Sequence, residues 1–325
     1  MSVETQLMTI IQAAVAQQAS DIYWLPATTD YQVLLQAAGQ LQPLMTLDLA
    51  TAQQVINHIK YQSNMAISDH RRPQLGAMTF PLATTVLNLR ISTVGDFLGR
   101  ESLVMRLLYQ ASETPLQYLI PSQRTQLQAL MQRTGLVLFS GPMGSGKTST
   151  MYDLVRQVER PQVVMTIEDP VEIYEPKFLQ LQVNDAAQMT YADLLKVGLR
   201  HHPEVFIIGE IRDEKTAQVA IQAALSGHLV LSTIHARGVF GIGPRLQQLG
   251  IAPATLQQAL VAATYQRLVA TTDGSQAALF DIVTTPTQVT AQATTMMTAR
   301  WGQLIEEQQA MGRISAALAQ RLQAE

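Results

Sequence analysis

Eight consecutive residues, Gly141-Pro142-Met143-Gly144-Ser145-Gly146-Lys147-Thr148, fit the phosphate-loop pattern. Glycines let backbone N–H groups close around phosphates, a lysine reaches the β- and γ-phosphates, and a hydroxyl residue at the last position ligates Mg²⁺. Lys147 and Thr148 hold those two positions, and with Ser149 the run forms the candidate ATP-binding segment. Its context agrees with this reading. The apolar run Gly135 to Ser140 predicts a buried strand before the loop, and Lys147 to Val158 predicts a helix after it.

Binding a nucleotide is not yet hydrolysing it, so the acidic residues matter next. Val163 to Ile167 leads into Glu168-Asp169-Pro170-Val171-Glu172, and Val205 to Ile208 leads into Gly209-Glu210. In a parallel sheet the strand C-termini line the edge where a phosphate loop lies, so Glu168 and Glu210 are expected to approach the γ-phosphate together. One carboxylate can orient the attacking water while the other supports the metal. An isolated glutamate at a strand end is usually just solvated; a preceding phosphate loop changes that expectation. Further on, His228 and His235 bracket another apolar strand, Leu229 to Ser232, and either can sense the γ-phosphate, although a lone histidine near a strand is more often structural. The adjacent His201 and His202 diverge and lack a third ligand at motif spacing, so no zinc site is read there.

These groups need a scaffold, and 325 residues favour two domains. Before the phosphate loop, Leu7, Ile10, Ile11, Ala14 and Val15 recur at helical spacing, and Ala19 to Trp24 reads as a turn into a strand. Tyr31 to Leu35 and Leu41 to Leu44 flank Gly39 as a hairpin, Thr51 to Asn64 is amphipathic, and strands are predicted at Met78 to Leu82, Val86 to Thr93 and Glu101 to Leu108. This is a small α+β domain over 1–108. Ser112-Glu113-Thr114-Pro115 punctuates a linker over 109–121, and 122–325 forms an α/β domain with alternating strands and helices, mainly helical beyond Pro244, ending on an amphipathic tail with Trp301, Leu304, Ile305, Ile314, Leu318 and Leu322.

A net charge of -3 provides no global basic field for nucleic acid or an anionic membrane. The absence of cysteine excludes disulfides, Fe–S clusters and cysteine-based zinc sites, and fits a reducing cytoplasm. No basic leader opens the chain and no apolar run approaches membrane-spanning length, so a cytoplasmic protein is expected, with any membrane association peripheral and through a partner.

Taken in order, the phosphate loop, the Glu168 segment, the Glu210 segment and the His228 to His235 segment resemble the Walker A, Asp-box, atypical Walker B and His-box motifs of secretion and type IV pilus ATPases. The likeness covers most of 116–270, including Gly209-Glu210-Ile211-Arg212-Asp213 and Gln266-Arg267-Leu268-Val269, and extends more loosely through Arg72-Pro73-Gln74, Leu89-Arg90-Ile91 and Val104-Met105-Arg106. The resemblance implies an α/β fold with a RecA-like P-loop NTPase domain and a smaller PAS-like α+β N-terminal domain. It implies a homo-hexameric ring whose ATP turnover moves an inner-membrane platform protein, so that pilin is extracted into a growing fibre. Glu168 is then the catalytic base, Glu210 the Walker B carboxylate beside Thr148 at Mg²⁺, and His228 and His235 the His-box residues. Arg90 and Arg106, with Arg72 behind them, match arginines that act on the nucleotide of the same or a neighbouring subunit. A salt bridge holding the two domains together is the competing role.

The family's long N-terminal extension and its tetracysteine module are missing, as they also are from retraction ATPases. Leu231-Ser232-Thr233-Ile234-His235 and Leu199-Arg200-His201-His202-Pro203 nevertheless look more like the assembly branch and its Gram-positive competence members. Leu75-Gly76-Ala77 and Gln36-Ala37-Ala38-Gly39 replace more polar family segments, which puts the N-terminal domain's polar contacts in question. An assembly motor for a competence pseudopilus used in DNA uptake is the expectation. The alternatives are a retraction motor, a nucleotide-gated binding module and, against the net charge, a DNA translocase; direct nucleic-acid binding is not expected.

Overall fold

The computed structural model describes residues 2–37, 40–82, 86–109, 116–158, 163–184, 187–291 and 295–324. The Gly39 turn, the Ser112 to Pro115 punctuation and much of the 109–121 linker lie outside them. The chain divides into two compact units, Met1–Ser112 with Glu172–Tyr174, and Glu113–Val171 with Glu175–Glu325.

In the first unit, α1 (Val3–Ala16) begins on Ser2, whose side chain accepts from the Thr5 N–H, and α2 (Leu49–Gln62) begins on Asp48, which accepts from the Thr51 N–H. Between and after them, β1 (Asp21–Pro26), β2 (Asp30–Ala37), β3 (Gln40–Asp48), β4 (Gln74–Pro81), β5 (Val86–Gly95) and β6 (Glu101–Leu108) form one antiparallel sheet in the order β3-β2-β1-β6-β5-β4. Strand alternation sends Ile22, Trp24, Val33, Leu35, Leu89, Ile91, Leu103 and Met105 to one face, where they pack with Leu7, Ile10, Ile11, Val55, Ile56 and Ile59. That core also contains an ion pair. Lys60, fully buried, donates to Glu101 at 2.7 Å and to the Asp69 carbonyl at 2.8 Å, and His70 Nδ1 lies 3.0 Å from the other Glu101 oxygen.

In the second unit, α3 (Pro121–Leu130), β7 (Gly135–Ser140), α4 (Lys147–Arg156), β8 (Val164–Glu168), β9 (Leu179–Gln182), α5 (Tyr191–Gly198), β10 (Val205–Ile208), α6 (Glu214–Leu225) and β11 (Leu229–Thr233) alternate along the chain. Every residue of β7, β8, β10 and β11 is buried, as parallel strands covered on both faces require. The reading of the chain beyond Pro244 as mainly helical is corrected here. After α7 (Ile242–Gln248) and α8 (Pro253–Ala259) come two long strands, β12 (Leu260–Ala270) and β13 (Gln276–Val283), before α9 (Pro286–Thr290), α10 (Ala299–Ala310) and α11 (Ala316–Gln323). The Ala- and Gln-rich composition favours helix, but pairing decides: β12 lies parallel to β7, and β13 runs antiparallel to β12. The sheet order is β13-β12-β7-β11-β10-β8-β9, so the sheet is mixed at one edge. The predicted tail residues Trp301, Ile305, Ile314 and Leu322 are buried in this unit's core. No helix among the described residues is long and apolar enough to cross a membrane.

Candidate nucleotide site

Strand register assembles the site. Ile167 of β8 pairs with Ile208 of β10, Ile208 with Ser232 of β11, and Thr233 with Phe139 of β7, so all four strands end at one edge. Backbone bonds continue past the strand ends, from Gly209 N to Ile167 O at 2.8 Å, Ile211 N to Thr233 O at 2.9 Å and Ile234 N to Phe139 O at 3.0 Å. The phosphate loop, Glu168, Glu210 and His235 therefore share this edge. His228 does not. It precedes β11 at the opposite edge, where its carbonyl accepts from Gly135 N and its Nδ1 lies 2.7 Å from the Pro203 carbonyl. The five residues of β11 separate it from the loop edge by roughly 16 Å, so of the two histidines it is His235 that shares the edge with the phosphate loop.

The loop itself fits a phosphate. Gly141 sits at φ 141°, and a Cβ there would lie 2.3 Å from the Gln266 carbonyl oxygen, whereas a Cβ on Gly144 would meet nothing within 4 Å. Gly146, at φ 83°, caps α4 with no side-chain acceptor, so the first-turn N–H groups point out of the helix uncapped. Among the described residues, the Ser145 and Thr150 hydroxyls are buried with no hydrogen-bond partner. The Lys147 ammonium donates to the Gly141 and Pro142 carbonyls at 3.0 and 2.9 Å, folded over the loop. Polar groups without partners beside a glycine cradle are what an anion would satisfy. Pro142, Met143 and Ser149 are exposed on the loop and the first helical turn.

The two carboxylates differ in setting. Glu168 is 3% exposed, and one of its oxygens accepts from both the Tyr152 and Thr166 hydroxyls at 2.6 Å. Tyr152 in turn accepts from Gln180 at 2.8 Å, and burial, followed by the Glu168 charge, pushes its hydroxyl far above the usual range. Glu210 is partly buried, pairs with Arg212, and lies 3.4 Å from His235 Nε2; Arg212 also reaches Asp169 at 3.5 Å. The Glu210 bond raises the Arg212 pKa further, so that side chain remains a cation. Tyr191 stands over Gly209, and burial, then Asp169 and Glu210, push its hydroxyl up.

Three contributors carried no chemical signal in the sequence: Tyr152, Tyr191 and Gln266. Gln266, buried on β12, donates to the Ser145 carbonyl at 2.7 Å and braces the loop from 121 residues away. The motif Gln266-Arg267-Leu268-Val269 marked its position but not its task. A cavity of about 530 Å³ opens beside the loop, lined by Gly141, Pro142, His235, Arg237, Tyr265 and Arg267, within the usual size of a small-ligand site.

Of the predicted arginines, Arg90 and Arg106 sit opposite each other on β5 and β6, on the sheet face away from the first unit's core. Arg106 pairs with Asp21 of the same unit at 2.7 Å. Arg72 is exposed and lies 3.3 Å from Asp69.

Residues 1–319 match the family described as Type II/IV secretion system protein. The chain belongs to this family. Among its curated relatives, the competence protein ComGA of Streptococcus pneumoniae (strain ATCC BAA-255 / R6) is 40% identical over 260 residues, covering 80% of this chain and 82% of that protein. Two solved structures share the fold. The pilus retraction motor PilT with bound ADP matches with a TM-score of 0.73 at 22% identity over 96% of this chain and 95% of that one. The Legionella pneumophila ATPase DotB matches with a TM-score of 0.72 at 19% identity over 98% and 95%. Like other members of the type II/IV secretion family, the chain is a nucleotide-binding ATP hydrolase.

Proposed function

We propose that this secretion-family ATPase is the assembly motor of a type IV competence pseudopilus, working as a homo-hexamer on an inner-membrane platform protein at the cytoplasmic face. One observation carries the reading: a phosphate loop, Glu168, Glu210 and His235 converge on one sheet edge in a chain 40% identical to a competence protein. The uncapped turn of α4 and the loop N–H groups hold the β-phosphate, and the Lys147 ammonium turns from the loop carbonyls to the γ-phosphate. Thr148 and Glu210 are the residues that would hold Mg²⁺, which neutralises charge on the phosphates when bound. His235, within reach of Glu210, reads the γ-phosphate.

Glu168 is the candidate base for the attacking water. Its two hydroxyl donors fix the carboxylate in place beneath the strand end, which also suits a fixed acceptor, and this favours a second reading in which the exposed Glu172 of the same segment activates water. On the family resemblance Arg90 and Arg106, neighbours across β5 and β6, are assigned to a nucleotide phosphate, a role that requires Arg106 to leave Asp21.

Phosphate release from Mg-ATP, with oligomer size followed by light scattering, tests the reading. Lys147→Ala and Glu210→Gln are expected to abolish turnover in a protein that still folds. Loss of at least about 100-fold in Glu168→Gln but not Glu172→Gln assigns the base to Glu168, and the reverse assigns it to Glu172. Normal hydrolysis by Lys147→Ala or Glu210→Gln would overturn the site. If cells lacking the protein still form fibres but cannot retract them, the direction of work is the opposite one.

A further inference from the structure

Three elements frame the cavity beside the phosphate loop. Gly141 and Pro142 border it at the end of β7, His235 and Arg237 follow β11, and Tyr265 and Arg267 stand on β12. Because Tyr265 pairs with Ser140 of β7, Arg267 lies beyond the end of that strand, level with the loop. Tyr265 and Arg267 are alternate residues of β12 and project to one face, while Gln266 projects to the other and holds Ser145. The cavity and the bond that braces the loop therefore lie on opposite faces of β12.

The basic groups of the cavity are held in place. Ile234 N donates to the Phe139 carbonyl just before His235. Just after Arg237, a Cβ on Gly238 would run into the Met296 carbonyl, which itself accepts from Phe240 N at 3.0 Å. The short segment His235-Ala236-Arg237 is thus pinned at both ends. Arg237 is exposed and has no ion pair or hydrogen bond among the described residues. Glu210 approaches His235, but among the described residues no carboxylate lines the cavity itself. A surface arginine is ordinarily just solvated. This one shares a cavity with His235 and Arg267, and the cavity borders Gly141, whose carbonyl holds the Lys147 ammonium at 3.0 Å.

We infer that this cavity receives the inorganic phosphate cleaved from ATP, and that Arg237 is the cation that holds it on its way out. Hydrolysis forms a bond from the water oxygen to the γ-phosphorus and breaks the bond to the β-phosphate oxygen. It leaves ADP, hydrogen phosphate and one proton, which passes to solvent. ADP keeps the loop N–H groups and the first turn of α4, so the freed dianion moves to the side that they do not occupy. The cavity opens on that side, and a guanidinium binds a phosphate through paired N–H donors. Its volume of about 530 Å³ holds a phosphate together with several waters, which makes the grip weak, as release of a product requires. The inference rests on the proposed position of the γ-phosphate between Lys147 and His235, and adds where the product goes.

Steady-state hydrolysis of Mg-ATP by the full chain, with inorganic phosphate added at constant ionic strength, tests this. Phosphate that leaves before ADP inhibits noncompetitively against ATP, whereas phosphate bound only in the empty loop competes with ATP. The wild type is expected to show noncompetitive inhibition. In Arg237→Gln the phosphate inhibition constant is expected to rise roughly 10-fold, the loss of a charge-assisted hydrogen bond at an exposed site, and by more than kcat/KM falls. Arg237→Lys, which keeps the charge, is expected to show a smaller rise. Without turnover, phosphate titrated into the Mg-ADP protein should broaden its phosphorus NMR line with the wild type and not with Arg237→Gln. Competitive inhibition in the wild type, or an unchanged inhibition constant in Arg237→Gln, overturns the product site and leaves hydrolysis at the sheet edge standing. So does a kcat lowered at least about 100-fold in Arg237→Gln with phosphate inhibition intact, which puts the arginine on the reacting γ-phosphate instead. A wild type that hydrolyses no ATP in any assembly state overturns both the product site and the site assignment beneath it.

Discussion

Replacing Tyr152 by phenylalanine removes one oxygen and tests whether Glu168 is held as a buried anion. The hydroxyl donates to Glu168 at 2.6 Å and accepts from Gln180 at 2.8 Å. Glu168 is 3% exposed, so bulk water does not readily replace that donor. A hydrogen bond to a charged group contributes about 1.5–3 kcal/mol. Because Thr166 still donates to the same oxygen, the lower part of that range applies, about 2 kcal/mol. For a domain of this size each kcal/mol moves the melting temperature by roughly 2–4 °C, so a fall of about 4–8 °C is expected. Circular dichroism melts of the full chain, with and without Mg-ADP, measure it, and phosphate release at 25 °C shows whether the lost donor also slows turnover. Thr166→Val is expected to cost a similar amount, and the double variant to depart from additivity because both hydroxyls serve one oxygen. A Tyr152→Phe melting temperature within about 1 °C of the wild type would refute the reasoning, since a buried carboxylate cannot lose such a donor without cost.

Lys60→Met strands Glu101, 1% exposed, without its ammonium partner and is expected to cost about 3–5 kcal/mol by urea unfolding, whereas Lys60→Met with Glu101→Leu recovers most of the loss. Gly141→Ala forces a Cβ against a backbone oxygen at a positive φ, a strain of roughly 1–3 kcal/mol concentrated in the loop, and calorimetry should show ADP affinity lost while the protein stays folded. Hydrogen bonds from Thr271 and Ser275 lower the Asp273 pKa to about 2, below its unfolded value. Its stabilising contribution is therefore present above the unfolded value and lost as pH falls through about 2. The melting-temperature gap between wild type and Asp273→Asn should accordingly close as pH is lowered toward 2, and a gap independent of pH counts against that assignment.

The chemistry of the loop was readable because its requirements are local. A glycine cradle, a lysine and a hydroxyl residue occupy eight positions, and continuous apolar runs such as Val205 to Ile208 carry the mark of strands buried on both faces wherever they end up in the sheet. Strand ends followed by Glu168 and Glu210 could be placed near the loop because parallel strands align their C-termini. The same rule places His228 on the edge opposite the loop, once β11 is seen to start only after it. Local propensity misled where partners were remote. Leu260 to Val283 is rich in alanine and reads as helix alone, yet it becomes two strands because the free edge of β7 supplies a ladder more than 100 residues away in sequence.

The amino-acid sequence by itself thus determined the phosphate loop, the two carboxylates and the order of strands that carry them, since each depends on neighbours within a few residues. Only the tertiary structure decided that Glu168 is buried beneath two hydroxyls, that Glu210 pairs with Arg212 and lies beside His235, that Gln266 braces the loop, and that Arg106 pairs with Asp21. Those contacts join residues from 2 to 121 positions apart, and no periodicity or motif spacing encodes which distant side chain a fold will bring within hydrogen-bond range.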